Sequence, residues 1–161
     1  CRQASSLERY SKSINSLFMI HNSKLIIYTD GGARGNPGPA AIGVVIYPEG
    51  LEIKKYKEYI GETTNNVAEY KAVISALQKA KQLLGKERSR AAIIEINTDS
   101  ELLYKQVKGE YKIMEPNLQP LFIEIWNLKQ AFADVGFVHI PREKNQEADK
   151  LVNEELDLRM I

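Results

Sequence analysis

The chain has 161 residues, with 43% hydrophobic and 27% charged residues and a net charge of +1. These values fit one globular domain and exclude a disordered or strongly basic chain. The lone cysteine, Cys1, excludes an intrachain disulfide. Two histidines, His21 and His139, give a His/Cys zinc site no support. No apolar run approaches the ~20 residues of a membrane span, and Leu17 to Ile20 is too short for a signal-peptide core. A cytoplasmic protein without a membrane partner is expected.

The chain begins with Cys1 rather than methionine, which fits a processed product or a fragment. Residues 1–16 hold five serines and little apolar periodicity. Residues 1–22 therefore read as a leader, flexible or introduced with the expressed chain, with an ordered helix over 5–20 as the alternative. The domain proper is taken as 23–158, its start lying near Met19.

Leu25 to Asp30 is rich in β-branched and aromatic residues and reads as a strand that stops at Gly31-Gly32. Residues 31–39 hold four glycines and two prolines and read as a loop. Ala41 to Tyr47 is a second strand. Glu52 to Ile60 is a third, half-exposed strand paired to it as a hairpin. Over residues 66–84, Val67, Tyr70, Ile74, Leu77 and Leu84 fall on one helical face, with Gly85 as a stop. Ala91 to Thr98 is a fourth strand, followed by Asp99 and a short helix from Ser100 to Lys108. A helix over 117–133 presents Leu121, Ile125, Leu128 and Phe132. Gly136 to Pro141 is a fifth strand, and Asn145 caps a last helix. The order βββαβααβα predicts an α/β fold, a mixed five-stranded sheet with helices on its faces.

Four acids fall where such folds place active sites. Asp30 is on strand one, immediately before its glycine loop, Glu69 lies in the first turn of the main helix, Asp99 closes strand four, and Asp149 lies in the first turn of the last helix. Sites form at the carboxyl ends of parallel strands. Carboxylates gathered there cannot all ionise without a cation, and oxygen-only ligands suit Mg2+ or Mn2+. Two such ions support phosphodiester hydrolysis. Each acid also has a structural reading. Asn66 to Glu69 has the form of a capping box, Asp149 is favoured by the helix dipole, and Asp99 is a possible cap. Asp30 is the hardest to explain structurally, because aspartate is disfavoured in strands.

The strings YTDGGARGNPGPAAIGVVI (28–46), TTNNVAEYKAVISAL (63–77), INTDSELLYKQV (96–107) and IPREKNQEADKLVNE (140–154) occur in order. Together they resemble the type 1 ribonuclease H family, from about Leu25 to Leu156. The resemblance implies a ribonuclease H-like fold and an enzyme that hydrolyses the RNA strand of RNA–DNA hybrids, leaving 5′-phosphate and 3′-hydroxyl ends. It implies that Asp30, Glu69, Asp99 and Asp149 bind two Mg2+ ions, with Mn2+ as a substitute, and are catalytic. It implies that Gly31, Asn36, Thr64, Asn65 and Asn66 contact the substrate, with 2′-hydroxyls separating RNA from DNA.

Two features depart from many members. The basic, tryptophan-bearing protrusion after the third motif is absent: residues 101–135 carry four lysines against five acids. This places the chain in a subgroup lacking the protrusion. Many members also carry a mobile histidine ahead of the last aspartate. Here His139 falls within strand five, and Arg142 resembles the arginine that a subgroup uses instead. Arg142 is therefore preferred as the fifth catalytic residue. A monomer is expected, with double-stranded RNA as a further candidate substrate. A hybrid-binding module without chemistry is the reading from another class, and the intact acidic quartet argues against it.

Overall fold

The computed structural model of the chain describes residues 23–160. The leader expected over residues 1–22 lies outside the described residues. The observed elements are β1 Lys24–Ala33, β2 Gly38–Pro48, β3 Lys54–Thr63, α1 Asn65–Ala91, β4 Ile93–Thr98, α2 Glu101–Val107, α3 Gln119–Lys129, β5 Asp134–His139 and α4 Gln146–Arg159. A 3-10 turn, Arg142–Lys144, precedes α4. The sheet order is β3-β2-β1-β4-β5. The first three strands are antiparallel neighbours, and β4 joins β1 and β5 in parallel. This is the mixed sheet expected from the pattern.

Successive strand residues point to opposite faces, so each face needs its own cover. On one face Leu25, Ile27, Val44, Ile46, Ile94, Ile96, Val135 and Phe137 pack with Tyr70, Val73 and Leu77 of α1, Leu103 of α2 and Ile125 of α3. On the other, Ala41 packs against Val152 and Leu156 of α4, with Tyr59 beside them.

The predicted turn at Gly31-Gly32 is not formed. β1 runs through both glycines to Ala33, with Gly31 opposite Ile42 and Gly32 opposite Ala41. The glycines serve packing there. A Cβ on Gly31 would overlap the Ala68 carbonyl of α1, and one on Gly43 would overlap the Ala148 carbonyl of α4. Absent side chains thus let one helix close on each face near the carboxyl end of β1.

Other boundaries shift for local reasons. α1 is interrupted at Gly85, the expected stop, where φ 74° and ψ 171° are not helical, and a second helical stretch continues to Ala91. The Ser89 hydroxyl donates to the Gly85 carbonyl at 2.7 Å. β3 extends to Thr63 because the register slips between Ala40 and Ala41, letting the ladder continue. The capping box expected from Asn66 to Glu69 is absent. Thr64 is the N-cap, and its hydroxyl accepts from Val67 N–H at 3.3 Å. Asn145 stands at the N-cap of α4, but its side chain does not cap the helix.

Candidate active site

Register brings the first two acids together. β1 and β4 run parallel with Tyr28 beside Asn97 and Thr29 beside Thr98, so Asp30 and Asp99 emerge side by side. α1, held close over Gly31, delivers Glu69. One carboxylate oxygen each from Asp30, Glu69 and Asp99 lies within 4.8 Å of the others. Asp149, in the first turn of α4, lines a cavity of about 270 Å³ together with Asp30, Gly31, Glu69, Asn65 and Arg142. Three of the four expected acids thus meet closely, and the fourth lines a cavity with two of them, Asp30 and Glu69.

Asp99 and Glu69 are free of the capping roles that their sequence contexts offered, while Asp149 does sit in the first turn of α4, where the helix dipole favours it. Ser100 caps α2, accepting from Leu103 N–H at 3.3 Å, so Asp99 is not the cap. Glu69 lies beyond the reach of a capping box, and its Oε2 is buried without a hydrogen-bond partner among the described residues. Asp30 is 7% exposed. Its pKa rises from 3.8 to about 8, through burial first and then the charges of Asp99 and Asp149. Glu69 is also raised well above its usual range, by burial and by Asp30 and Asp99. In both cases the Gly31 backbone N–H and the Arg142 guanidinium act in the opposite direction.

The donor set fits divalent cations. All ligand atoms are carboxylate oxygens, which suits Mg2+ or Mn2+ and not zinc. The buried side-chain oxygens without partners among the described residues are Thr29 Oγ1, Glu69 Oε2 and Asn145 Oδ1, all in or beside the cluster. Crowded, desolvated carboxylates with an orphaned acceptor form a site whose negative charge calls for a cation.

The two polar loops are joined to each other. Asn65 N–H donates to Asn36 Oδ1 at 3.0 Å, and Ala33 N–H donates to Asn65 Oδ1 at 2.8 Å. Both side-chain carbonyls are therefore committed, and their amide groups remain as donors. Asn66 Nδ2 donates to Glu115 Oε1 at 3.3 Å. Arg142 is exposed on the 3-10 turn and lines the cavity. His139 ends β5 and stacks on Tyr104 with ring centroids 5.6 Å apart.

Sequence reasoning missed Asn145. It is 1% exposed, and its Nδ2 donates to Thr29 O at 2.9 Å and to Asp99 Oδ2 at 3.2 Å. It ties the start of α4 to β1 and to an acid of the cluster. Its position four residues before Asp149 was visible, but that spacing equally suits a cap. Arg34 and Asn153 also line the cavity unforeseen. Arg34 pairs with Asp157 of α4.

Strand order, crossover and acids at the strand ends define a domain with the ribonuclease H-like fold. The chain belongs to the family described as reverse transcriptase-like, which matches residues 28–155. LC11-RNase H1, solved in complex with an RNA/DNA hybrid, is 49% identical, with a TM-score of 0.79 over 85% of this chain and 99% of that one. Ribonuclease HI of Halobacterium salinarum is 39% identical over 131 residues, 81% of this chain and 63% of that protein. Bifunctional protein Rv2228c of Mycobacterium tuberculosis is 37% identical over 136 residues, 83% of this chain but 36% of that protein. The chain thus spans about a third of the length of its mycobacterial relatives.

Proposed function

We propose that the chain is an endoribonuclease that hydrolyses the RNA strand of RNA–DNA hybrids, leaving 5′-phosphate and 3′-hydroxyl ends. The observation that carries this reading is the convergence of Asp30, Glu69 and Asp99 within 4.8 Å. The likeness to LC11-RNase H1, solved with such a hybrid, supports it. Asp30, Glu69, Asp99 and Asp149 would hold two divalent cations, Mg2+ or Mn2+. Bound there, the cations supply activation of water and stabilisation of the leaving oxygen in phosphodiester hydrolysis.

The remaining steps belong to the chain's own residues. Arg142, at the rim, places a fixed positive charge against a phosphate oxygen. The Asn36, Asn65 and Asn66 amides, the Thr64 hydroxyl and the Gly31 backbone present hydrogen-bonding groups to the sugar edge of the duplex. A 2′-hydroxyl both donates and accepts, so such groups distinguish RNA from DNA. The proposed catalytic unit is 23–158.

The test uses labelled RNA–DNA hybrid, double-stranded RNA and double-stranded DNA, each with Mg2+, Mn2+ or EDTA. Cleavage of the hybrid's RNA strand that requires metal is expected. Cleavage of double-stranded RNA as well would widen the substrate class. Binding of hybrid without cleavage in either metal would favour a non-catalytic module.

A further inference from the structure

The segment between α2 and α3, residues 108–118, carries a carboxylate to the proposed substrate face. Glu115 Oε1 accepts from the Asn66 side-chain amide at 3.3 Å. The segment holding it is anchored from several sides. In the core, Tyr70 O–H donates to Gln106 Oε1 at 2.6 Å, and Gln106 Nε2 donates to Lys112 O at 3.2 Å. Gln119 Nε2 donates to Ile113 O at 3.0 Å. Leu118, fully buried, donates its N–H to Glu115 O at 3.0 Å.

Glu115 is exposed and forms no ion pair among the described residues. Asn66 is its side chain's hydrogen-bond partner. Its charge, after burial, also helps push the Tyr70 hydroxyl up to about 12, which places it near the residue that follows Glu69.

We propose that Glu115 is a specificity-determining residue: its carboxylate takes one N–H of the Asn66 amide and opposes an approaching phosphate backbone, so a duplex that uses that N–H must displace it. This rests on the proposed hydrolysis of RNA–DNA hybrids. Two costs combine. One hydrogen bond is exchanged for another, with little net gain. An unneutralised negative charge also stands beside a polyanion. A nucleic acid that cannot engage Asn66 meets the repulsion without the compensating bond, which is how a repulsive element raises selectivity. Glu115 touches no reacting atom, so its effect falls on KM and not on kcat.

The experiment measures KM and kcat on a labelled hybrid in Mg2+, and Kd for the same hybrid in EDTA, for Glu115→Gln and Glu115→Ala. KM and Kd are expected to fall about three- to tenfold, with kcat within about twofold of the unsubstituted protein. In an Asn66→Ala background the gain from Glu115→Ala is expected to shrink to its electrostatic part. KM and Kd that stay unchanged or rise would overturn the proposal while leaving the function intact. An unsubstituted protein that leaves the hybrid uncut in Mg2+ and Mn2+ would overturn the function and this role with it.

Discussion

Asp30→Asn keeps the side chain's shape and removes one charge from the acidic cluster. Loss of measurable hybrid cleavage is expected at saturating Mg2+, and near-normal turnover would remove Asp30 from the metal-binding set. The same variant tests the electrostatics without substrate. The folded-state pKa of Asp30, about 8, lies above its ordinary value of 3.8. The folded state therefore binds the extra proton, and the stability this contributes is complete below about pH 4. It is lost as pH rises through about 8. In EDTA, the melting temperature of the unsubstituted protein is expected to fall between pH 5 and pH 8 by more than that of Asp30→Asn. Equal pH dependence in the two proteins would contradict the assignment. Asn145→Ala removes the bonds to Thr29 and Asp99 from a buried position. A stability loss of about 1–3 kcal/mol is expected, with lower kcat well below the melting temperature. Denaturant titration and single-turnover cleavage measure the two effects separately.

At the scale of elements, the helix contacts at Gly31 and Gly43 decide where the acids stand. Gly31→Ala forces α1 away from β1, because the added methyl meets the Ala68 carbonyl, which cannot swing aside as a side chain would. The expected cost is about 1–3 kcal/mol, with activity falling because Glu69 moves. A fully active and equally stable Gly31→Ala protein would mean that the helix has slack. These contacts also explain what the sequence left hidden. The chain order of the elements and most helix faces were legible, because alternation and helical spacing are local patterns. The passage of β1 through Gly31-Gly32 was not, since a glycine pair reads as a turn until the helices above and below it are known. The meeting of Asp30, Glu69 and Asp99 was legible through their motifs. The inward turn of Asn145 and the reach of Glu115 to Asn66 were not, because both depend on segments distant in sequence.

For the whole molecule, charge placement matters more than the net value of +1. Several cations of the described domain are already engaged, among them Lys55 with Glu147, Lys57 with Glu154 and Arg34 with Asp157. Phosphate contacts must then come from other basic groups, and Arg2, Arg9 and Lys12, opposed only by Glu8, lie in the first 18 residues. Deleting residues 1–18 is expected to leave kcat on a hybrid nearly unchanged and to raise KM at moderate salt. Each lost phosphate contact flattens the log–log salt dependence of affinity by about one counterion. A collapsed kcat with unchanged salt dependence would move the domain boundary upstream of Met19.

The acids lie at positions 30, 69, 99 and 149, on β1, on α1, just past β4 and on α4, and the last arrives with the final helix. A chain truncated within residues 109–117 carries three of them and lacks both Arg142 and Asp149. Cutting power on the proposed reading therefore switches on only when synthesis of the domain is finished. Incomplete translation products would leave a hybrid uncut.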